Sequence, residues 1–263
     1  MNAMLQQVVD IVKEASALMV ADHFTVMQKD GVENLVTSSD LAVQHFLTGK
    51  LAALLPGCGF ICEEEDFRVL ASEDVWIIDP IDGTANYSRG IADCCISVAL
   101  AHQGALQLGV VYSPRRGELY TAERGKGAWC NGHPIHVSGC DKLSSAVVAT
   151  GFACLRAGLK KNNMPIIDRV FPIAQDIKRC GSAALDLCFV AAGRVDVYWE
   201  IALKEYDVAA GALIASEAGA VVLDMNGGSN WPSEGILCTN APLVPVMLEH
   251  FEAAIGHVDP TPI

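Results

Sequence analysis

The segment Val75-Trp76-Ile77-Ile78-Asp79-Pro80-Ile81-Asp82-Gly83-Thr84 carries an apolar run straight into two acids, a proline and a glycine. The run reads as a buried strand, so the carboxylates are held at a strand end. Pro80 fixes the backbone between the acids and Gly83 permits a tight turn. The N–H groups beyond could meet a phosphate if a helix begins there. One short box then offers both metal ligands and anion donors. For an isolated D-P-x-D the alternative is an ordinary acidic Asx turn.

The pattern recurs upstream. Phe60-Ile61-Cys62 runs into Glu63-Glu64-Glu65-Asp66, another apolar strand ending in acids. Glu63, first after the strand, is a candidate ligand, whereas Glu64, Glu65 and Asp66 read as a solvated acidic loop. Downstream, Lys204-Glu205-Tyr206-Asp207 precedes the small-residue helix that starts Val208-Ala209-Ala210-Gly211-Ala212, which puts Asp207 at the expected N-cap. Hard oxygen ligands gathered from strand ends and one helix start suit Mg²⁺; zinc would favour His and Cys.

Around these boxes the periodicity predicts two opening helices, over residues 4–20 and 39–55, the second stopped by Pro56-Gly57. Short β-prone runs follow at 60–62, 75–78, 95–101, 106–112 and 118–122, and four or five of them can form one largely antiparallel sheet. From Ser145 the rhythm becomes strand and helix in alternation: 146–150, a helix near 165–175, then 183–192, 195–199, 208–218 and 221–223. No Pro, Gly or Ser-rich linker intervenes. The expectation is an α/β protein of α+β type, a layered α/β/α/β sandwich. An N-terminal half (1–144) with a largely antiparallel sheet and a smaller C-terminal α/β half (145–263) share one cleft within a single unit.

Composition narrows the function. With 263 residues, 51% hydrophobic and 19% charged, the chain can bury a large core. A formal charge of -13 speaks against general attraction to nucleic acid, which depends on Lys and Arg releasing phosphate counterions. The 10 cysteines include no CxxC pair and no zinc-type His spacing, so most of them read as small buried hydrophobes in a reduced, cytoplasmic compartment. Asp10, Lys13 and Glu14 interrupt any secretory core at the N-terminus. The uncharged stretch 94–114 reads as two strands joined by a turn at His102-Gln103-Gly104, not as a membrane span.

Six blocks in order resemble the inositol monophosphatase family, within the lithium-sensitive, magnesium-dependent sugar-phosphate phosphatases. They are Leu35-Val36-Thr37-Ser38-Ser39-Asp40, Glu63-Glu64, Trp76 to Tyr87, Gly125-Lys126-Gly127-Ala128-Trp129-Cys130-Asn131-Gly132, Gly181-Ser182-Ala183-Ala184, and Tyr206-Asp207-Val208-Ala209-Ala210-Gly211. With Gly227-Gly228 the match spans roughly residues 29–228. The resemblance implies Mg²⁺ as cofactor, two or three ions per site. Glu63, Asp79 and the carbonyl of Ile81 would hold one ion, and Asp79, Asp82 and Asp207 a second. It further implies that Asp40 and Thr84 orient a metal-bound water near Glu63 and that the backbone around Gly83 and Thr84 grips the phosphate. Ile81, Asp82, Gly181, Ser182, Ala183 and Asp207 complete the substrate surface. Glu200 matches a position that contacts inositol hydroxyls.

Hydrolysis of inositol monophosphate is the leading activity implied, on a small phosphorylated polyol or sugar, by a homodimer with no membrane association. Alternatives are a phosphatase for histidinol phosphate, fructose bisphosphate or nucleotide bisphosphate, or a regulatory binding protein that retains the fold. Tyr206 replaces the family's common Trp, Cys62 a common Gly, and Glu65 a small polar residue. Lys29 resembles a lysine of the family's mobile loop, and variation between Gly151 and Asp176 is where selectivity is expected to be set.

Overall fold

Alternate residues of the acid-bearing segment point to opposite layers: Trp76 and Ile78 enter one apolar core and Ile77 another. The computed structural model describes residues 3–19, 26–28, 35–64, 67–69 and 72–259. In chain order it opens with α1 (Ala3–Ser16), β1 (Val26–Gln28), β2 (Leu35–Thr37), α2 (Ser38–Leu54), β3 (Gly59–Cys62), β4 (Arg68–Val69), β5 (Asp74–Asp82) and α3 (Thr84–Ser88). A meander follows, β6 (Cys95–His102), β7 (Ala105–Ser113), β8 (Glu118–Glu123), β9 (Ala128–Cys130) and β10 (His133–Ile135). Next come β11 (Val147–Thr150), α4 (Ala153–Arg156), α5 (Met164–Val170), β12 (Asp176–Lys178), α6 (Ala183–Ala191) and β13 (Val197–Glu200). The chain closes with α7 (Glu205–Glu217), β14 (Val221–Leu223), β15 (Ile236–Thr239) and α8 (Val244–Ile255).

The five strands read from the sequence are neighbours in one eight-stranded sheet of order β10-β9-β8-β7-β6-β5-β3-β4. Every pairing in it is antiparallel except β3 with β5. The uncharged stretch is the β6–β7 hairpin, and no helix among the described residues is long and apolar enough to cross a membrane. The second sheet, of order β12-β11-β13-β15-β14, has β11 parallel to both neighbours and β15 antiparallel to both of its own.

Helices α1 and α2 cover one face of the large sheet, burying Leu5, Val8, Val12, Val43 and Leu47 against Trp76, Ile78, Val98 and Val110. Helices α6 and α7 fill the space between the sheets, with Leu187, Val190, Val208 and Ile214 meeting Val111 and Tyr120 on one side and Tyr198 and Cys238 on the other. With all of α6 and residues 208–215 of α7 buried, these two helices belong in an interior layer. The expected α/β/α/β order is therefore present, and α5 and α8 add a fifth layer by packing Ile166, Met247 and Phe251 on Trp199 and Leu237. The helix expected over 165–175 ends at Val170, and residues 176–178 become the edge strand β12. All 10 cysteines are free, and six of them (Cys62, Cys94, Cys95, Cys154, Cys188 and Cys238) are buried.

Candidate active site

Register brings the acids together. Cys62 pairs with Ile78 in the parallel β3–β5 ladder, and the N–H of Glu63 donates to the carbonyl of Ile78, so Glu63 leaves its strand beside Asp79. Pro80 has no N–H to give the ladder, and the β5–β6 register slips by one residue between Asp79 opposite Ser97 and Asp82 opposite Cys95. In an unbroken strand, residues three apart face opposite sides; the bulge turns both Asp79 and Asp82 into the same cavity. The N–H of Ile81 instead donates to Asp79 Oδ1 (3.1 Å).

Gly83, at φ 88°, then starts α3, and a Cβ there would stand 2.8 Å from the carbonyl oxygen of Asp93 and 3.2 Å from that of Gly181. The Thr84 hydroxyl shares its proton between Asp40 Oδ1 (3.2 Å) and the Ile81 carbonyl (3.0 Å). Asp40 is fully buried. Its other oxygen accepts the N–H (2.8 Å) and hydroxyl of Thr37, which closes the capping box of α2. It stands behind Thr84 and acts on the cavity through that hydroxyl.

From the other layer, Ser182 Oγ and the N–H of Ala184 both donate to Asp82 Oδ2 (2.7 Å each). Asp207 is not the N-cap of its helix. The helix starts at Glu205, and the Asp207 carboxylate reaches back to the N–H of Lys204 (2.6 Å), as a residue at the third helical position does. The reading of Glu64 as solvated is also corrected: it is buried, its N–H and carbonyl locked to the Gln44 amide at 2.9 Å each. Glu65, Asp66 and Lys29 lie outside the described residues.

Glu63, Asp79, Ile81, Asp82, Gly83, Thr84, Gly181, Ser182, Ala183, Glu200 and Asp207 thus line one cavity of about 600 Å³. The sequence reading did not single out four other residues of its wall, Arg156, Arg179, Asp186 and Lys204. Burial lifts the Asp79 carboxyl well above its ordinary range, and the charges of Glu63, Asp82 and Asp207 lift it further. Asp207 moves the same way, from burial first and then the Asp82 charge. Burial pushes Asp82 up to about 6 against the pull of the Ser182 and Ala184 donors.

Among the described residues no three His, Cys, Asp or Glu side chains close around one point, so the acids line a wall. As a donor set of hard oxygens that repel one another, they fit Mg²⁺, whose charge offsets that repulsion. Glu200 is 5% exposed, and Gly151 lies so close to its carboxylate that an added Cβ would overlap it. Gly151→Ala is therefore expected to lower stability by about 2 kcal/mol, as overpacking of a buried site does. A melting temperature equal to wild type would show that the loop yields freely.

The inositol monophosphatase family model matches residues 2–256. Over 238 residues the chain is 37% identical to the protein named Nus factor SuhB of Vibrio cholerae, covering 90% of this chain and 89% of that one. It is 39% identical over 208 residues to the inositol-1-monophosphatase of Mesorhizobium japonicum, covering 78% and 77%. The crystal structure of the extragenic suppressor protein suhB from Bartonella henselae superposes with a TM-score of 0.89 at 32% identity, covering 97% of this chain and 100% of that one. A family match over nearly the whole chain, joined to the same layered fold, establishes that this chain belongs to the inositol monophosphatase family.

Proposed function

We propose that the protein is a Mg²⁺-dependent phosphatase that hydrolyses phosphate monoesters of small hydroxyl-rich molecules, inositol monophosphates first among those to assay. The observation that carries this reading is that Glu63, Asp79, Asp82 and Asp207 line one cavity, near enough for their charges to act on one another at evident electrostatic cost. A scaffold kept only for binding a partner gains nothing from such a cluster, whereas a cation site requires it.

Glu63, Asp79 and the Ile81 carbonyl would hold one ion, and Asp79, Asp82 and Asp207 another. Bound Mg²⁺ supplies a lowered pKa for water, polarised phosphoryl oxygens and charge to offset the leaving alkoxide. Thr84, fixed by Asp40 and the Ile81 carbonyl, orients the attacking water on the Glu63 side. The turn at Gly83 lets the backbone approach the phosphate without a side chain intervening. Phosphorus then exchanges its bond to the leaving oxygen for one to water, in line, with no nucleophilic side chain required.

Phosphate release from inositol monophosphate is expected to require Mg²⁺, to stop in EDTA, and to be inhibited by lithium. Full turnover in EDTA would end this reading.

A further inference from the structure

Glu200 does not present a free carboxylate to the cavity. Its Oε1 accepts the N–H of Ala153 (2.9 Å) and its Oε2 the hydroxyl of Tyr198 (2.8 Å). Asn163 secures the same segment from behind, its Nδ2 donating to the carbonyl of Gly151 (2.6 Å) and to Thr150 Oγ1 (3.1 Å). The acid matched to sugar-hydroxyl contact is thus engaged in anchoring residues 151–156 over the cavity. That segment ends in Arg156, which stands in the cavity wall.

Arg156 is exposed, and its guanidinium makes no hydrogen bond or ion pair among the described residues, only its backbone N–H being held, by the Phe152 carbonyl (3.2 Å). Its side chain lines the same cavity as Asp82 and Glu200, where its charge favours their ionised forms. Arg179, also in the wall, lies elsewhere. Its guanidinium folds over Gly181 next to Asn86, beside the Gly83 turn that would take the phosphate. Both arginines thus line the cavity, Arg179 beside Gly181 and Asn86 and Arg156 at the end of the segment that Glu200 anchors.

A neutral hydroxyl gains little from a guanidinium, while an anion gains a charge-assisted, two-pronged contact. We propose that the preferred substrate carries a second anionic group on its leaving group, a phosphate or a carboxylate, and that Arg156 receives it. This rests on the phosphatase reading above and narrows it. The chemistry is unchanged: water adds to the phosphorus at the Gly83 end, the bond to the leaving oxygen breaks, and that oxygen takes the proton. The second anion remains intact.

The test measures kcat/KM with Mg²⁺ for a hexitol monophosphate, a hexitol bisphosphate and a phosphorylated six-carbon sugar acid. Wild type, Arg156→Gln and Arg179→Gln are compared. Wild type should prefer at least one anion-bearing ester by about tenfold, well beyond the statistical gain of a second phosphorylated end. Which ester it prefers distinguishes phosphate from carboxylate. Arg156→Gln should erase the preference by slowing the anion-bearing ester, and Arg179→Gln should slow all three together. Equal rates on all three esters in wild type, or an equal loss on all three in Arg156→Gln, would overturn the second-anion proposal while leaving the phosphatase reading intact. Absence of turnover on every ester would overturn both.

Discussion

Asp79→Asn is expected to lower turnover by about a thousandfold while leaving the metal-free protein at least as stable as wild type. Asp79 is 2% exposed and lies among three other carboxyls, sharing a hydrogen bond with Glu63. Asparagine keeps the shape and the oxygen that accepts the N–H of Ile81, and its amide can donate to Glu63. What is lost is one charge, which is a liability without cations and a ligand with them.

Wild type should gain about 2.7 kcal/mol when free Mg²⁺ reaches about a hundredfold its dissociation constant, and the variant much less. Asp82 is the poorer position for this test, because its Oδ2 also accepts from Ser182 and Ala184 and a loss there would mix two causes. If Asp79 merely organised a turn, asparagine would serve as well, and activity and the Mg²⁺ response would both survive. Melting curves in EDTA and in Mg²⁺, with turnover on the same preparations, separate the two. A wild-type Mg²⁺ shift in Asp79→Asn would remove Asp79 from the metal site.

The parts of this site that were legible in the sequence are those where a local pattern changes abruptly. An apolar run that ends in an acid marks both β3 and β5, and it located Glu63, Asp79 and Asp82 directly. What the pattern could not supply was register: that Glu63 and Asp79 are neighbours follows from the parallel pairing of Cys62 with Ile78. Glu64 was misread because an acid run looks solvated unless its distant partner, Gln44, is known. The start of α7 was placed late because the small apolar residues begin at Val208, although an acid at the third helical position is itself a start signal.

Strand β15 and helix α8 carried signals that went unread: Ile236-Leu237-Cys238-Thr239 is a β-prone run, and α8 has a proline in its first turn. Arg156 and Arg179 had none. An arginine at the end of a four-residue helix, or just after an edge strand, belongs to no motif, and only the anchoring of residues 151–156 by Glu200 and Asn163 ties Arg156 to the cavity.

The same electrostatics set an unusual pH dependence for the metal-free protein. In the folded chain Asp82 titrates at about 6 against an ordinary 3.8. Between those values the native state holds a proton that the unfolded chain has released, so the stability that Asp82 contributes falls as pH rises through this window. The loss is on the order of 3 kcal/mol from Asp82 alone, and Asp79 and Asp207, displaced in the same direction, add to it. A carboxylate held low by a salt bridge would do the opposite.

Mg²⁺ binds the deprotonated acids, so its stabilisation grows as pH rises and should offset the fall. Denaturant midpoints from about pH 4 to pH 7 should therefore decline in EDTA and level or climb in Mg²⁺. A formal charge of -13 also resists compaction as pH rises, and this general repulsion has the same sign. Asp82→Asn distinguishes them. It removes one charge from the cluster but barely alters the total, so it should flatten the EDTA curve if the cluster is responsible. An unchanged slope in Asp82→Asn would assign the decline to overall charge and would contradict the raised carboxyl at the end of β5.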